Sequence, residues 1–344
     1  MRELVIVIAD LYLEREPEGP PAFDASAGAA PALEHLLRFG SLTPLAGGWR
    51  AWVARWAGLA QYAAEAPASI AAAPLAARVA GRAVWLASPL HLTAGLTRVH
   101  FDRRSMLRLP RTEADALAAS FREVFHGSGF DLHPLESGEL LLCGPADWAP
   151  SRTTEPARLL LTEVTEALAV GEGAPALRRL SAEIEMWLHG HAVNAQREQR
   201  GAPAISALWL WGGGAPAIAP GAASRELMEA AFGADAYVSG LWRLAGGEIR
   251  PMPVDFRTVI GEPRAQRALG VVEIGELMQA EPSWRLADAV TEIDRRLISP
   301  ALEALRHGEL ERLALGANDR CLSLRAIDRW RLWRRKRTAL AGLM

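Results

Sequence analysis

The 344-residue chain is almost free of lysine: of its 38 basic residues only Lys336 is one, and the rest are arginine. Forty acidic residues bring the formal net charge to −2, which argues against a protein that wraps nucleic acid over its general surface. Cysteine is scarce as well. Cys143 and Cys321 are too few and too far apart for a disulfide framework or a thiolate metal centre, so two reduced, buried thiols are expected. No apolar run approaches the roughly 20 residues of a membrane span. The first such run, residues 4–9, ends at Asp10 and falls short of a signal-peptide core, which predicts a cytoplasmic protein with no membrane span. Repeats, heptads and low-complexity segments are missing. No Gly-x-Ser-x-Gly occurs, so a hydrolase nucleophile elbow is unsupported. Gly212, Gly213 and Gly214 lack the following Gly-Lys-Ser/Thr of a P-loop and the spacing of a dinucleotide fingerprint.

What is present is half apolar and about a quarter charged, an ordinary globular composition long enough to bury a large core. Residues 4–9 form a continuous β-rich run suited to a central parallel strand that delivers Asp10 to its end. A loop over 16–30 leads to a helix opened by Pro31 and closed at Gly40. Helices follow at 49–59 and 74–79, and Trp49, Trp52 and Trp56 share a face of the first, a spacing that suits core packing. A strand is expected at 84–86. Between 89 and 149 the pattern becomes strand (96–101), helix (112–125, with Thr112 and Asp115 as a capping box) and strand (139–142). Helices at 156–170 and 174–188 follow, then a strand over 207–211. Next come a helix at 224–232, a short strand at 237–239, a strand at 269–274 and a long helix at 285–305 broken near Pro300. A strand at 312–317, a partner at 321–324 and a basic helix at 326–337 close the chain. This alternation predicts an α/β fold, a mostly parallel central sheet covered by helices, with a small inserted α+β subdomain. The expected boundaries are 1–88 with 150–344 for the core and 89–149 for the insert.

The densest chemistry lies between Trp187 and Gly214. Arg197 and Arg200 offer planar donor forks for phosphate or carboxylate, with Asn194, His189 and His191 as neutral donors nearby. Gly212, Gly213 and Gly214 follow the apolar run 207–211 and would line the floor of a crevice at a strand's carboxyl end. The same residues also read as a turn, a solvated helix face and a helix cap. His189 and His191 are two apart, so on one helix they do not share a face to hold a metal. In the C-terminal segment 328–337, Trp330 and Trp333 interleave with arginines. That pattern suits docking on the body of the protein, and also suits contact with a partner, bases or a membrane surface.

The segment Glu183-Ile184-Glu185-Met186, His191-Ala192-Val193-Asn194, Arg197, Arg200-Gly201 and the apolar run ending in Gly212, Gly213 and Gly214 resembles the archaeal-type cofactor-independent phosphoglycerate mutases of the alkaline phosphatase superfamily. The version here looks closest to the RpfE-type regulatory group. Residues 87–98 resemble the start of that family's inserted subdomain, and the run ending at Asp10 resembles its first strand with a metal-binding aspartate. The resemblance implies an alkaline phosphatase-like core and phosphoryl transfer through a serine beside two divalent ions, manganese or zinc, held by aspartates and histidines.

The residues for that chemistry are mostly missing. Where the family has its nucleophile this chain reads Gly47-Gly48-Trp49-Arg50-Ala51-Trp52, with Ser41 and Ser69 as the nearest serines. Glu281-Pro282-Ser283-Trp284-Arg285 stands where an aspartate and histidine precede the late helix, and Asn318-Asp319 replaces an aspartate-histidine pair. Only His307 of the eight histidines lies in the last third. Asp10 and Asp319 alone do not build a two-metal site. The expected function is therefore a non-catalytic regulatory or metabolite-binding protein without a cofactor. It would hold a phosphorylated or carboxylated metabolite on His191, Asn194, Arg197, Arg200 and the three glycines, or contact a protein partner. The alternative is a divergent metal-dependent phosphomutase or phosphatase rearranged around Asp10 and Asp319.

Overall fold

The computed structural model describes residues 1–13, 30–94, 99–161, 164–219, 229–261, 266–330 and 341–343. Among them the strands in chain order are β1 (Glu3–Ile8), β2 (Ser41–Pro44), β3 (Ala83–Leu90), β4 (Thr93–Ala94), β5 (Val99–His100), β6 (Asp131–Pro134), β7 (Leu140–Gly144), β8 (Ala207–Pro216), β9 (Glu229–Phe232), β10 (Ile249–Arg250), β11 (Arg267–Val272), β12 (Arg312–Ala317) and β13 (Arg320–Arg325). Two compact units divide the chain, one of Met1–Ala63, Arg225–Asp235 and Gly247–Met344, the other of Ala64–Ser224 and Ala236–Gly246. They do not coincide with the expected 89–149 insert. The reason is strand pairing: β3 and β8, expected in the core, hydrogen-bond to each other and to β7 in a separate sheet.

In the first unit seven strands run β10-β9-β11-β1-β12-β13-β2, parallel from β10 to β12 and antiparallel at β13 and β2. This is a mostly parallel sheet flanked by helices. β1 lies at its centre with Leu4 to Val7 fully buried, which is why its sequence after Glu3 is apolar at every position rather than at alternate ones. The helix Pro31–Phe39 packs Leu33, Leu36 and Leu37 into the same core, and Gly40 closes it. Trp52 of the helix Gly48–Trp56 lies over Gly316, where a Cβ would come within 2.8 Å of its ring. Asn318 and Asp319 are both left-handed, φ 50° and 53°, as a two-residue hairpin from β12 to β13 requires.

The second unit holds an antiparallel sheet ordered β6-β7-β3-β8 and the small hairpin β4–β5. The helices Arg111–Val124 and Ala174–His189 cover one face through Leu117, Phe121, Leu177 and Ile184. Cys143 is buried here and Cys321 in the first unit; burial pushes their thiols up to about 12 and about 11, so both stay protonated.

Several local expectations are corrected. Residues 229–232 are strand, not the end of a helix, and 236–244 are a helix, not a strand. Among the described residues of the expected 156–170 helix, only Pro156–Leu161 is helical, as a 3-10 turn. The segment 74–79 is a 3-10 turn and bend. Thr112 and Asp115 form no capping box, because Pro110 occupies the cap and Asp115 pairs with Arg111. The long late helix is interrupted by a π turn at Asp294–Ile298, just before Pro300. The loop 16–30 lies almost wholly outside the described residues, as does all of 331–337 from the expected basic helix. No helix among the described residues is long and apolar enough to cross a membrane.

Candidate functional site

Asp10 lies two residues past the end of β1, and the helix Ile274–Ala280 begins just after the neighbouring strand β11. That helix has no side-chain cap of its own. Asp10 supplies one from across the sheet: Oδ1 accepts the N–H of Ile274 and Oδ2 that of Gly275, each at 2.7 Å, with the carboxylate buried. Amide donors at this distance hold both oxygens of the carboxylate. On the other side of β1, Asn318 is equally engaged, accepting from Leu13 N at 3.1 Å and donating to Leu343 O at 2.9 Å. Asp319 receives Leu45 N on its main-chain oxygen at 2.7 Å. Among the described residues no three His, Cys, Asp or Glu side chains converge to hold a metal ion. A two-ion centre needs several oxygen or imidazole ligands per ion, and the described residues around Asp10 and Asp319 do not supply them.

The stretch 187–214 is built differently from its reading as a polar turn. After Gly190 the chain forms a second helix, Ala192–Gln199, with His191 as its N-cap: Nδ1 accepts Val193 N at 3.1 Å. Burial holds the pKa of His191 below the ordinary imidazole value, which suits a neutral ring used as an acceptor. Its ring stands edge-on to Trp187 at 5.0 Å. Asn194 is buried and bonded at both ends of its amide. It donates to Leu188 O and Ile205 O at 2.8 Å and accepts Ile205 N at 2.7 Å, pinning the returning loop to the helix. Arg197 is buried, with Nε on Pro203 O at 2.6 Å and a terminal nitrogen on Glu113 Oε2 at 2.6 Å. Arg200 reaches the other oxygen, Glu113 Oε1, at 2.5 Å. The anion that both arginines grip is thus the chain's own carboxylate, whose side chain is 7% exposed while that of Arg200 is 56% exposed. His189 is exposed and takes no part.

Glu113 was not singled out from sequence. A signal existed: it sits four residues before Leu117 and eight before Phe121, on the buried stripe of its helix, where a carboxylate needs a partner.

The glycines also differ from expectation. β8 is an antiparallel strand beside β3, so Gly212, Gly213 and Gly214 do not lie in the crevice of a parallel sheet. They form a bulge where the register shifts between Val84 and Leu86. Gly212 and Gly214 have φ of +64° and +96°, and a Cβ on Gly213 would lie 1.8 Å from Val84 O. Close approach of two strands requires glycine there. Gly212 N donates to Thr153 Oγ1 at 2.9 Å.

No family model matches the chain, and no curated protein matches it. Solved structures similar to it include the following two. The cofactor-independent phosphoglycerate mutase from Thermoplasma acidophilum DSM 1728 is 15% identical, with 94% of this chain and 89% of that chain covered at a TM-score of 0.36. The PH0037 protein from Pyrococcus horikoshii is 12% identical, with 94% and 87% covered at a TM-score of 0.47. Both scores are too low to carry a fold assignment, which rests on the strand order and register given above.

Proposed function

We infer that the chain is a non-catalytic, mutase-like protein with a regulatory or metabolite-binding role, working in the cytoplasm. The observation that carries this reading is Asp10. It is the single aspartate that matches the family's first metal ligand, and both of its oxygens hold the start of a helix through main-chain amides. The segment aligned with the nucleophile supports the same reading, since Gly47 and Gly48, with φ of +80° and +78°, open a helix there and no serine stands between them and Trp52. Residues that an enzyme of this kind uses for chemistry serve here as scaffold: Asp10 as a cap, Asn194, Arg197 and Arg200 as a clasp. Arg200 keeps the most outward-facing guanidinium of that clasp and is where a phosphorylated or carboxylated metabolite would meet it.

The test is elemental metal analysis of protein purified without chelator, together with phosphatase and mutase assays across added manganese and zinc. The reading requires substoichiometric metal and no turnover. About two metals per chain with release of phosphate from an ester would overturn it in favour of a rearranged metalloenzyme.

A further inference from the structure

A separate group of donors lies on the first unit, where the helices Pro31–Phe39 and Ser299–His307 pack against each other. His35 and Arg38 are one turn apart on the first helix, so their Cβ atoms are neighbours about 5–6 Å apart. Both lie against the ring of Phe39, the His35 ring at 4.6 Å and the Arg38 guanidinium carbon at 4.9 Å. From the last turn of the second helix, Arg306 reaches His35 Nδ1 at 3.3 Å. A guanidinium can only donate, so Nδ1 accepts and the neutral ring carries its proton on Nε2. His35 is therefore a third donor beside two cations. Arg306 is exposed and His35 and Arg38 are half-buried. The buried Nε of Arg38 has no hydrogen-bond partner among the described residues.

Among the described residues no carboxylate pairs with either arginine. Glu34, one turn before Arg38, makes no ion pair with it, and Glu303, one turn before Arg306, is held by Arg257 at 2.7 Å. In the π turn that packs on the first helix, Asp294 gives its oxygens to the amides of Ala32 and Leu33, and Glu292 matches Arg295 and Arg296. The carboxyl ends of the two helices offset about half a charge each, which suits an arginine in each last turn but leaves about one positive charge over. The His35 ring reports the same balance. Burial, Arg306 and Arg38 all hold its pKa below the ordinary imidazole value, and no carboxylate draws it up.

We propose that Arg306, His35 and Arg38 form a binding site for a phosphoryl group. A site made only of donors calls for an oxyanion, and three donor groups suit the three oxygens of a tetrahedral phosphoryl group better than the two of a planar carboxylate. On binding, Arg306 turns its fork from His35 Nδ1 to the ligand, with no ion pair to break. Nδ1 is then released to take up a proton, which adds the charge that a dianion calls for. The site shares no residue with Asp10 or with the Glu113 clasp, so it stands or falls apart from the reading above.

The experiment is a titration with inorganic phosphate at constant ionic strength, following the ring protons of His35 by NMR, with the signal assigned by its loss in His35→Gln. A saturable shift with a rise in the His35 pKa is expected, and acetate at equal ionic strength should give no saturation. Arg306→Ala and Arg38→Gln should each weaken binding about tenfold. Arg306→Glu, at an exposed position, should abolish it at unchanged melting temperature. Arg178→Ala removes an exposed arginine of the second unit and should bind as the parent does. Glycerol phosphate distinguishes the source: tighter binding than inorganic phosphate marks an organic monoester, and equal or weaker binding marks the free ion. The proposal is overturned if phosphate produces no saturable shift of His35 or if acetate matches it. It is also overturned if Arg306→Glu or Arg38→Gln binds as the parent does, or if Arg178→Ala weakens binding as much as Arg306→Ala.

Discussion

At the amino-terminal edge of the seven-stranded sheet, one row of residues runs Glu229, Arg267, Glu3, Arg312 across β9, β11, β1 and β12, each in register with an opposite charge. At the carboxyl-terminal edge the carboxylate of Asp10 meets main-chain amides instead. On the first edge Arg267 bonds Glu229 at 3.0 Å, Glu3 at 3.3 Å and Trp56 O at 2.6 Å, and lies over the Trp56 ring at 4.3 Å. Arg312 closes the row on Glu3 at 3.2 Å. Charge there is matched side chain to side chain, so removing one member strands another. On the second edge the counter-charge is the positive end of a helix, which belongs to the backbone and cannot be mutated away. The comparison separates two uses of a buried carboxylate that look alike in sequence.

The largest effect is expected where a charge is stranded. Arg267→Ala takes from Glu229, whose side chain is only 2% exposed, the guanidinium that pairs with it at 3.0 Å. A loss of about 3 kcal/mol is expected, the lower end for a broken buried pair because water reaches the partly exposed arginine site. Urea unfolding measures it, and adding Glu229→Gln to Arg267→Ala should recover part of the loss by removing the stranded charge. If the double variant is no more stable than the single, the row is not the electrostatic unit described.

Asp10→Asn sharpens the other side. Asparagine keeps one acceptor oxygen, so one of the two amides of Ile274 and Gly275 loses its bond, for an expected cost of about 1–2 kcal/mol. The same unfolding curve run with manganese, zinc or chelator should not move for the parent or the variant. A metal-dependent stabilisation of the parent that vanishes in Asp10→Asn would identify Asp10 as a ligand and reverse the assignment of the carboxyl-terminal edge.

These edges also show what the sequence discloses. β1, β12 and the helix Pro31–Phe39 are legible because their signals are local: unbroken apolar runs, a proline at the first helical turn, a glycine after the last. The amino-terminal row was legible in principle, since Glu3, Arg267, Arg312 and Glu229 each begin a strand of mostly apolar residues. The helix Ala192–Gln199 was not, because two of its three buried residues are Asn194 and Arg197, and polar letters in the core leave no apolar period. Short runs such as 237–239 suit strand or helix equally until packing decides. For the candidate site the donors were legible by type, but their acceptor was not. Glu113 lies 84 residues from Arg197, and only the fold brings the two together. Likewise nothing in 207–214 distinguishes a parallel core strand from an antiparallel neighbour of β3.

A third buried carboxylate tests how far backbone amides can hold a charge, and its effect should be the smallest. Asp294, in the π turn, caps the helix Pro31–Phe39 by accepting Leu33 N at 2.6 Å and Ala32 N at 3.2 Å. Burial nevertheless raises its pKa above the ordinary carboxylate value, outweighing the lowering by the two amides. A raised folded pKa means that the folded state prefers the protonated acid. The group therefore favours folding below its unfolded pKa and loses that contribution as pH rises through the folded value. Other carboxylates obscure this in the parent curve, so the readout is the difference in unfolding free energy between the parent and Asp294→Asn, which keeps an acceptor and has no charge to lose. The parent should lose stability relative to Asp294→Asn as pH climbs from near 4 through the raised pKa, with the difference constant above it. A difference that ran the opposite way would mean that the amides win over burial at Asp294.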